Sequence, residues 1–183
     1  MDNGAESYRR YLAGDDTGLT ELVGTYKDGL TLYLNGYVGD LSAAEELCED
    51  TFFRLITKKP TFSGKSSFRS WLYAIGRHAA LDSLRRGAHL SPVGDAEAAC
   101  GEEQSLEASY LREERRILLH RALSRLRPEY RSALWLVYFE EFSHPEAAVA
   151  LGKNERQLRN LLYRAKLALR AELDQEGVSY EEL

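Results

Sequence analysis

The sequence predicts an all-α fold: two small helical domains joined by a flexible acidic linker. Three observations predict it. Apolar residues recur at the three- and four-residue spacing of helix faces through most of the long segments. Only 4 of the 183 residues are proline, too few for a turn-rich β chain. Between the periodic segments, residues 87–95 bring Gly, Ser and Pro together, and residues 97–107 are polar with weak periodicity, the composition of a linker.

Helical signals then run along the chain in order. Residues 19–37 are rich in Tyr and Leu at helical spacing, and Tyr37-Val38-Gly39-Asp40 reads as their stop and turn. Ser42 followed by Glu45 reads as a capping box for the next helix. Behind it Ala44, Leu47, Cys48, Thr51, Phe52 and Leu55 form one apolar stripe, in which Cys48 is a small core residue. Residues 57–67 contain Pro60 and Gly64 and are basic and hydroxyl-rich, a loop rather than a helix interior. Phe68, Trp71, Leu72, Ile75 and Ala79 form the stripe of a further helix ending at Leu84-Arg85-Arg86, with Trp71 read as core.

Past the linker, Leu118, Leu119, Ala122, Leu123 and Leu126 make another apolar face. Pro128 fits a first helical turn, where its missing N–H costs nothing. Residues 133–139 read as that helix's buried body. Ser143 with Glu146 is a second capping box, and the short helix behind it stops at Gly152. Asn154 then caps a longer helix, with Gln157 at the matching position. A short helix, a Gly turn and a second helix is the helix-turn-helix arrangement. In the second helix Leu158, Leu161, Leu162 and Leu169 face inward. Arg156, Gln157, Arg159, Asn160, Tyr163 and Arg164 face outward; Arg, Gln and Asn are the side chains that read base edges in the major groove. Lys166 and Arg170 suit phosphates.

Charge is segregated along the chain. The formal net charge is −5, which taken whole argues against binding nucleic acid by bulk charge. By segment, residues 1–67 carry −4, residues 68–86 carry +3, residues 87–114 carry −6, residues 115–173 carry +6, and the last ten −4. Two basic helical blocks are thus separated by an acidic one. The first six residues are acidic where a secretory leader is basic and then apolar. The longest apolar run, residues 133–139, is far short of the roughly 20 residues a spanning helix needs. Cys48 and Cys100 form no CxxC. The expectation is a cytoplasmic protein with reduced thiols, no membrane contact, no metal and no cofactor. No P-loop, HExxH or nucleophile motif occurs, so no catalytic residue is expected and the protein is not expected to be an enzyme.

At these residues the chain resembles the extracytoplasmic-function (ECF) subfamily of bacterial RNA polymerase sigma factors. Residues 44–54, Ala-Glu-Glu-Leu-Cys-Glu-Asp-Thr-Phe-Phe-Arg, are similar to the family's core-polymerase-binding helix. Residues 68–86 are similar to the helix that melts and reads the minus-ten element. Leu126-Arg127-Pro128-Glu129-Tyr130-Arg131, with the helix-turn-helix behind it, is similar to the domain that reads the minus-thirty-five element. The resemblance implies a division into an N-terminal domain (1–86), a linker (87–114), a helix-turn-helix domain (115–173) and an acidic tail (174–183). It implies core polymerase contacts at Glu45, Glu46, Glu49, Asp50, Phe53 and Arg54. Minus-ten contacts fall at Phe62, Lys65, Ser66, Ser67, Arg69, Arg77, His78, Arg85 and Arg86. Minus-thirty-five contacts fall at Arg156, Gln157, Arg159, Asn160, Tyr163, Arg164 and Lys166. Core RNA polymerase and promoter DNA are the implied partners, with an anti-sigma factor as the family's usual restraint.

The chain departs from the family's pattern in places. His78 stands where many relatives carry Asn, Ala43 replaces a common Asp, and His144-Pro145 replaces an aromatic-acidic pair. Leu161, Leu167 and Ala168 replace residues that are often basic. The competing reading is a helix-turn-helix regulator that acts without polymerase; residues 57–86 discriminate, because such a regulator needs no strand-melting helix. The acidic linker and tail are further expected to keep the free chain off DNA until core polymerase rearranges it.

Overall fold

The computed structural model describes residues 3–87 and 117–175. Nearly all of the expected linker and most of the acidic tail lie outside these residues. Among the described residues every regular element is a helix: α1 (Asn3–Leu12), α2 (Thr17–Val38), α3 (Leu41–Lys58), α4 (Phe68–Arg85), α5 (117–125), α6 (Pro128–Leu134), α7 (His144–Ala150) and α8 (Glu155–Gln175).

Helices α1 to α4 enclose one core. The stripe expected on α3 is buried as read, with Ala44, Leu47, Cys48, Thr51, Phe52 and Leu55 inside. Its cap is not. Asp40, in extended backbone, accepts the Ala43 N–H on Oδ1 at 2.8 Å, and Ser42 is the second residue of the helix, exposed. Asp40 sits three residues before the donor it satisfies, which is the reach an N-cap requires. The preceding helix stops at Gly39, whose φ of 69° is left-handed, and its N–H returns to the Asn35 carbonyl.

Helix α1 was not foreseen as an element. Tyr8 and Tyr11 are buried, and Ser7 Oγ donates to Glu21 on α2 at 2.8 Å. The two helices cross almost backbone to backbone at Gly18: a Cβ there would lie 2.2 Å from the Ser7 carbonyl oxygen. At the mouth of α4, Phe68 is fully buried among Tyr8, Tyr26, Phe62 and Trp71, with ring centroids at 5.4 to 5.9 Å. Trp71 is partly buried and packs against the core cluster, so its place in the stripe holds on the packed side of α4.

Helices α5 to α8 bury Ala122, Leu123, Leu126, Leu136, Leu158 and Leu162, which are continuous with the core of α1 to α4. Pro128 takes the first turn of α6. Residues 133–139 are only partly the buried body expected of them. After Leu134 the backbone widens into one π turn over Trp135–Phe139, and Tyr138 and Phe139 emerge exposed, with Phe139 stacked on Trp135 at 4.6 Å. A π turn inserts an extra residue, so it rotates every later side chain off the helical face. Ser143 and Glu146 form the expected capping box, and Gly152 takes a φ of 61° after α7. Asn154 and Gln157 cap α8 reciprocally, at 3.0 and 2.9 Å.

The two units also touch. Helix α4 lies against α7 and α2 against α6.

Candidate nucleic-acid interface

Three surfaces carry the residues singled out in the sequence. The first is the outer face of α8. The apolar positions Leu158, Leu162, Ala165 and Leu169 seat the helix on α6 and α7, and the 3.6-residue period turns the intervening polar positions outward. Arg156, Gln157, Arg159, Asn160, Tyr163, Arg164 and Lys166 are all exposed. Leu161 is half-buried rather than fully inward. Arg159 is held loosely by Glu155, one turn earlier, at 3.7 Å, and an exposed pair of that kind contributes little. Lys166 Nζ rests over the Tyr138 ring at 5.0 Å.

Gln157 is different from its neighbours. Its Oε1 accepts the Asn154 N–H at 3.0 Å while its own backbone N–H donates to Asn154 Oδ1. A bidentate contact to adenine needs both the amide oxygen and the amide nitrogen. Because the same oxygen also serves the cap, a bidentate contact from Gln157 to adenine would compete with it.

Beside α8 runs a cleft of about 320 Å³, lined by Arg127, Tyr130, Lys153, Gln157, Asn160 and Arg164 among others. The start of α6 and the turn before α8 form its walls. Lys153 is drawn to Glu129 at 3.6 Å. Residues 127, 129 and 130 and Lys153 were not singled out as individual contacts; their signal was the basic block itself. Cations on both sides of a recognition helix suit the phosphates flanking a major groove.

The second surface is α4 with the loop before it. Ser67 is the N-cap: its Oγ accepts the Ser70 N–H at 3.3 Å. Lys65, His78, Arg85 and Arg86 are exposed. Arg85 pairs with Asp82 at 3.4 Å across a solvated turn. Phe62, Ser66, Ser67, Arg69 and Arg77 are half-buried. Phe62 packs on Phe68 and Trp71 at 5.6 and 5.2 Å. The structure thus brings Lys65, His78, Arg85 and Arg86 to solvent but turns Arg69 toward the other unit. There its guanidinium meets Glu140 and lies 4.2 Å from the Phe142 ring centroid.

Tyr73, on the same face, donates its hydroxyl to Glu140 Oε2 at 2.8 Å. Burial pushes its phenol well above the ordinary tyrosine range, and the Glu140 charge adds to this. Tyr73 was not read as a functional residue. Nothing in a helical stripe distinguishes it from core.

The third surface is the outer face of α3. Glu45, Glu46, Glu49, Asp50 and Phe53 are exposed and Arg54 is half-buried. Leu41, Glu45, Glu49, Phe53 and Ile56 share one face at helical spacing, and its three apolar members are 47%, 60% and 39% exposed. Leu41 and Ile56 were not singled out. An apolar residue on an otherwise acidic face was the available signal.

Arg159→Ala is expected to weaken recognition by about 1–3 kcal/mol at a single base pair of the bound site. Titration of the variant against all substitutions of that site measures it. Equal weakening on every sequence would assign Arg159 to a phosphate.

Comparison with known proteins follows the same division. Residues 22–89 match the family model for sigma-70 region 2, and residues 116–169 match that for sigma-70 region 4. The ECF RNA polymerase sigma factor BldN of Streptomyces coelicolor is 30% identical over 87% of this chain, and the chain spans 62% of that protein's length. The RNA polymerase sigma factor YlaC of Bacillus subtilis is 28% identical over 83% of this chain and 90% of its own. Among solved structures, the sigma factor RpoE of Bartonella quintana, in complex with the anti-sigma factor NepR, has the same fold. It superposes with a TM-score of 0.66 at 20% identity over 85% of this chain and 96% of its own. CnrH, in complex with the cytosolic domain of CnrY, gives a TM-score of 0.65 at 22% identity over 94% of this chain and 96% of its own.

Proposed function

Since the chain belongs to the sigma-70 family of RNA polymerase sigma factors, in its ECF subfamily, we propose that it binds core RNA polymerase and directs transcription initiation at specific promoters. In this reading residues 1–86 dock on polymerase through the α3 face and engage the minus-ten element through α4. Residues 115–173 read the minus-thirty-five element through α8, residues 87–114 connect the two, and residues 174–183 form an acidic tail.

One observation carries the reading: a region 2 module precedes the helix-turn-helix. A regulator acting on duplex DNA alone needs only the second, so that alternative is not favoured. Extruding a base from the stack costs a few kcal/mol and needs a pocket and cations beside it, and Lys65, His78, Arg85 and Arg86 stand exposed along α4. Sigma factors are in general initiation factors rather than enzymes, and this chain is read likewise. Among the described residues no helix is long and apolar enough to cross a membrane; action beside polymerase in the cytoplasm fits the family. An anti-sigma factor is the expected restraint, as RpoE of Bartonella quintana has in NepR.

Purified chain is expected to co-elute with core polymerase in gel filtration and to retard promoter DNA only weakly without it. A chain that never co-elutes with core, yet binds duplex DNA tightly alone, would support the regulator instead.

A further inference from the structure

Between α3 and α4 the chain runs through residues 59–67 without regular structure. Among the described residues, no backbone–backbone hydrogen bond ties residues 60–66 to the rest of the chain. A segment without a ladder keeps one shape only through its side chains and the partners its carbonyls find.

The two ends of this loop are fixed by different devices. At the far end Ser67 caps α4. At the near end Lys59 takes a left-handed φ of 40°, and the proline ring fixes φ at Pro60. The Pro60 carbonyl accepts the hydroxyl of Tyr8, from α1, at 2.8 Å. Lys59 Nζ lies over the Tyr11 ring of the same helix at 5.2 Å. Helix α1 therefore reaches across α4 to hold the start of the loop.

Tyr8 is built to hold it still. The residue is 1% exposed, and its ring centroid stands 5.4 Å from that of Phe68 and 5.6 Å from that of Trp71. The phenol has no room to swing. Burial first, and the Tyr11 phenol second, push it up to about 12, so it remains a donor at neutral pH. Packing in that aromatic cluster needs only a phenylalanine ring. The hydroxyl adds one thing, a bond to a loop residue 52 positions away. Beyond the anchors, Ser63, Gly64 and Lys65 are exposed, and Gly64 turns the chain at a left-handed φ of 71°. Only residues 61–66 separate the pinned carbonyl from the cap of α4, so moving the first end moves the tip.

We propose that Tyr8 is a positioning residue for minus-ten recognition: its hydroxyl pins Pro60 and so sets the 61–66 loop against α4, where an extruded base is received. This rests on the sigma factor reading for what the loop receives. Core polymerase carrying the full chain, Tyr8→Phe or Tyr37→Phe is titrated with a forked oligonucleotide of a promoter selected in reconstituted transcription. Each base of its single-stranded minus-ten segment is replaced in turn by an abasic site. Tyr37→Phe is the control: it removes another buried hydroxyl bond of the same unit, to Tyr33 at 3.2 Å, away from the loop. Circular dichroism checks folding.

With the original chain, one abasic position is expected to weaken binding about tenfold, the worth of one stacked base. Tyr8→Phe is expected to weaken binding to the intact fork about fivefold, the scale of one hydrogen bond, and to leave binding to the fork abasic at that position unchanged. Tyr37→Phe matches the original chain on both. Equal weakening by Tyr8→Phe on every fork, or the same pattern in Tyr37→Phe, would overturn the proposal and reduce the bond to a structural one. Original affinity of Tyr8→Phe for the intact fork would overturn it as well. Should no abasic position matter even with the original chain, the minus-ten reading of the loop falls, and the proposal with it.

Discussion

Phe68→Ala is expected to destabilise the N-terminal helical unit by about 3–5 kcal/mol, the range for removing a fully buried aromatic ring. Phe68 opens α4 and has no exposed surface. Four rings surround it, from α1 (Tyr8), α2 (Tyr26), the 59–67 loop (Phe62) and α4 itself (Trp71). Each contributes packing beyond its buried area. The cavity cannot close readily, because α1 is fixed by the backbone contact at Gly18 and approaches the ring so nearly that a Cβ on Gly4 would lie 2.6 Å from it. Urea unfolding followed by circular dichroism measures the change. A loss below about 1 kcal/mol would mean that α1 moves in to fill the space, and that the mouth of α4 is far softer than this packing implies.

Phe53→Ala is expected to leave stability nearly unchanged and to weaken core polymerase binding by about 2 kcal/mol, roughly thirtyfold. The two effects separate because Phe53 is 60% exposed in the free chain, so truncation opens no cavity. On docking, an aromatic ringed by Glu49, Asp50 and Ile56 would be the anchor that the partner desolvates, and such anchors carry most of an interface's affinity. Rim charges such as Glu46 act mainly on the association rate and its salt dependence. Surface-immobilised core polymerase titrated with each variant distinguishes them. Wild-type affinity in Phe53→Ala would move the interface off this face of α3.

Much of the architecture was legible in the sequence, and for physical reasons. Local devices announce themselves. The Ser143–Glu146 box, the Gly152 turn and the reciprocal Asn154–Gln157 cap all sit within four residues of their partners, where chain chemistry alone decides. The α3 stripe was legible because one face is buried along its whole length.

What was missed depends on contacts distant in sequence or on backbone register. Helix α1 is held by Tyr8, Tyr11 and Ser7 against residues of α2 and α4, and its own pattern is short and polar. The choice of Asp40 over Ser42 as cap turns on which residue leaves helical backbone, and both fit the composition rule. The π turn at Trp135–Phe139 changes no residue's hydrophobicity, only the direction in which Tyr138 and Phe139 point. Glu140 and Arg69 are 71 positions apart. In sequence, Glu140 was one acid within a basic block, with nothing to mark it as the partner of α4. Gln157 was read both as a cap and as a base reader, and only its hydrogen bonds reveal the competition.

The central claim is that this chain gives core RNA polymerase a promoter specificity. Transcription reconstituted from core polymerase, with and without the purified chain, on a library of genomic fragments tests it most directly. The account predicts a set of discrete start sites that appear only with the chain and share one pair of upstream elements. Start sites identical in its presence and absence would contradict it.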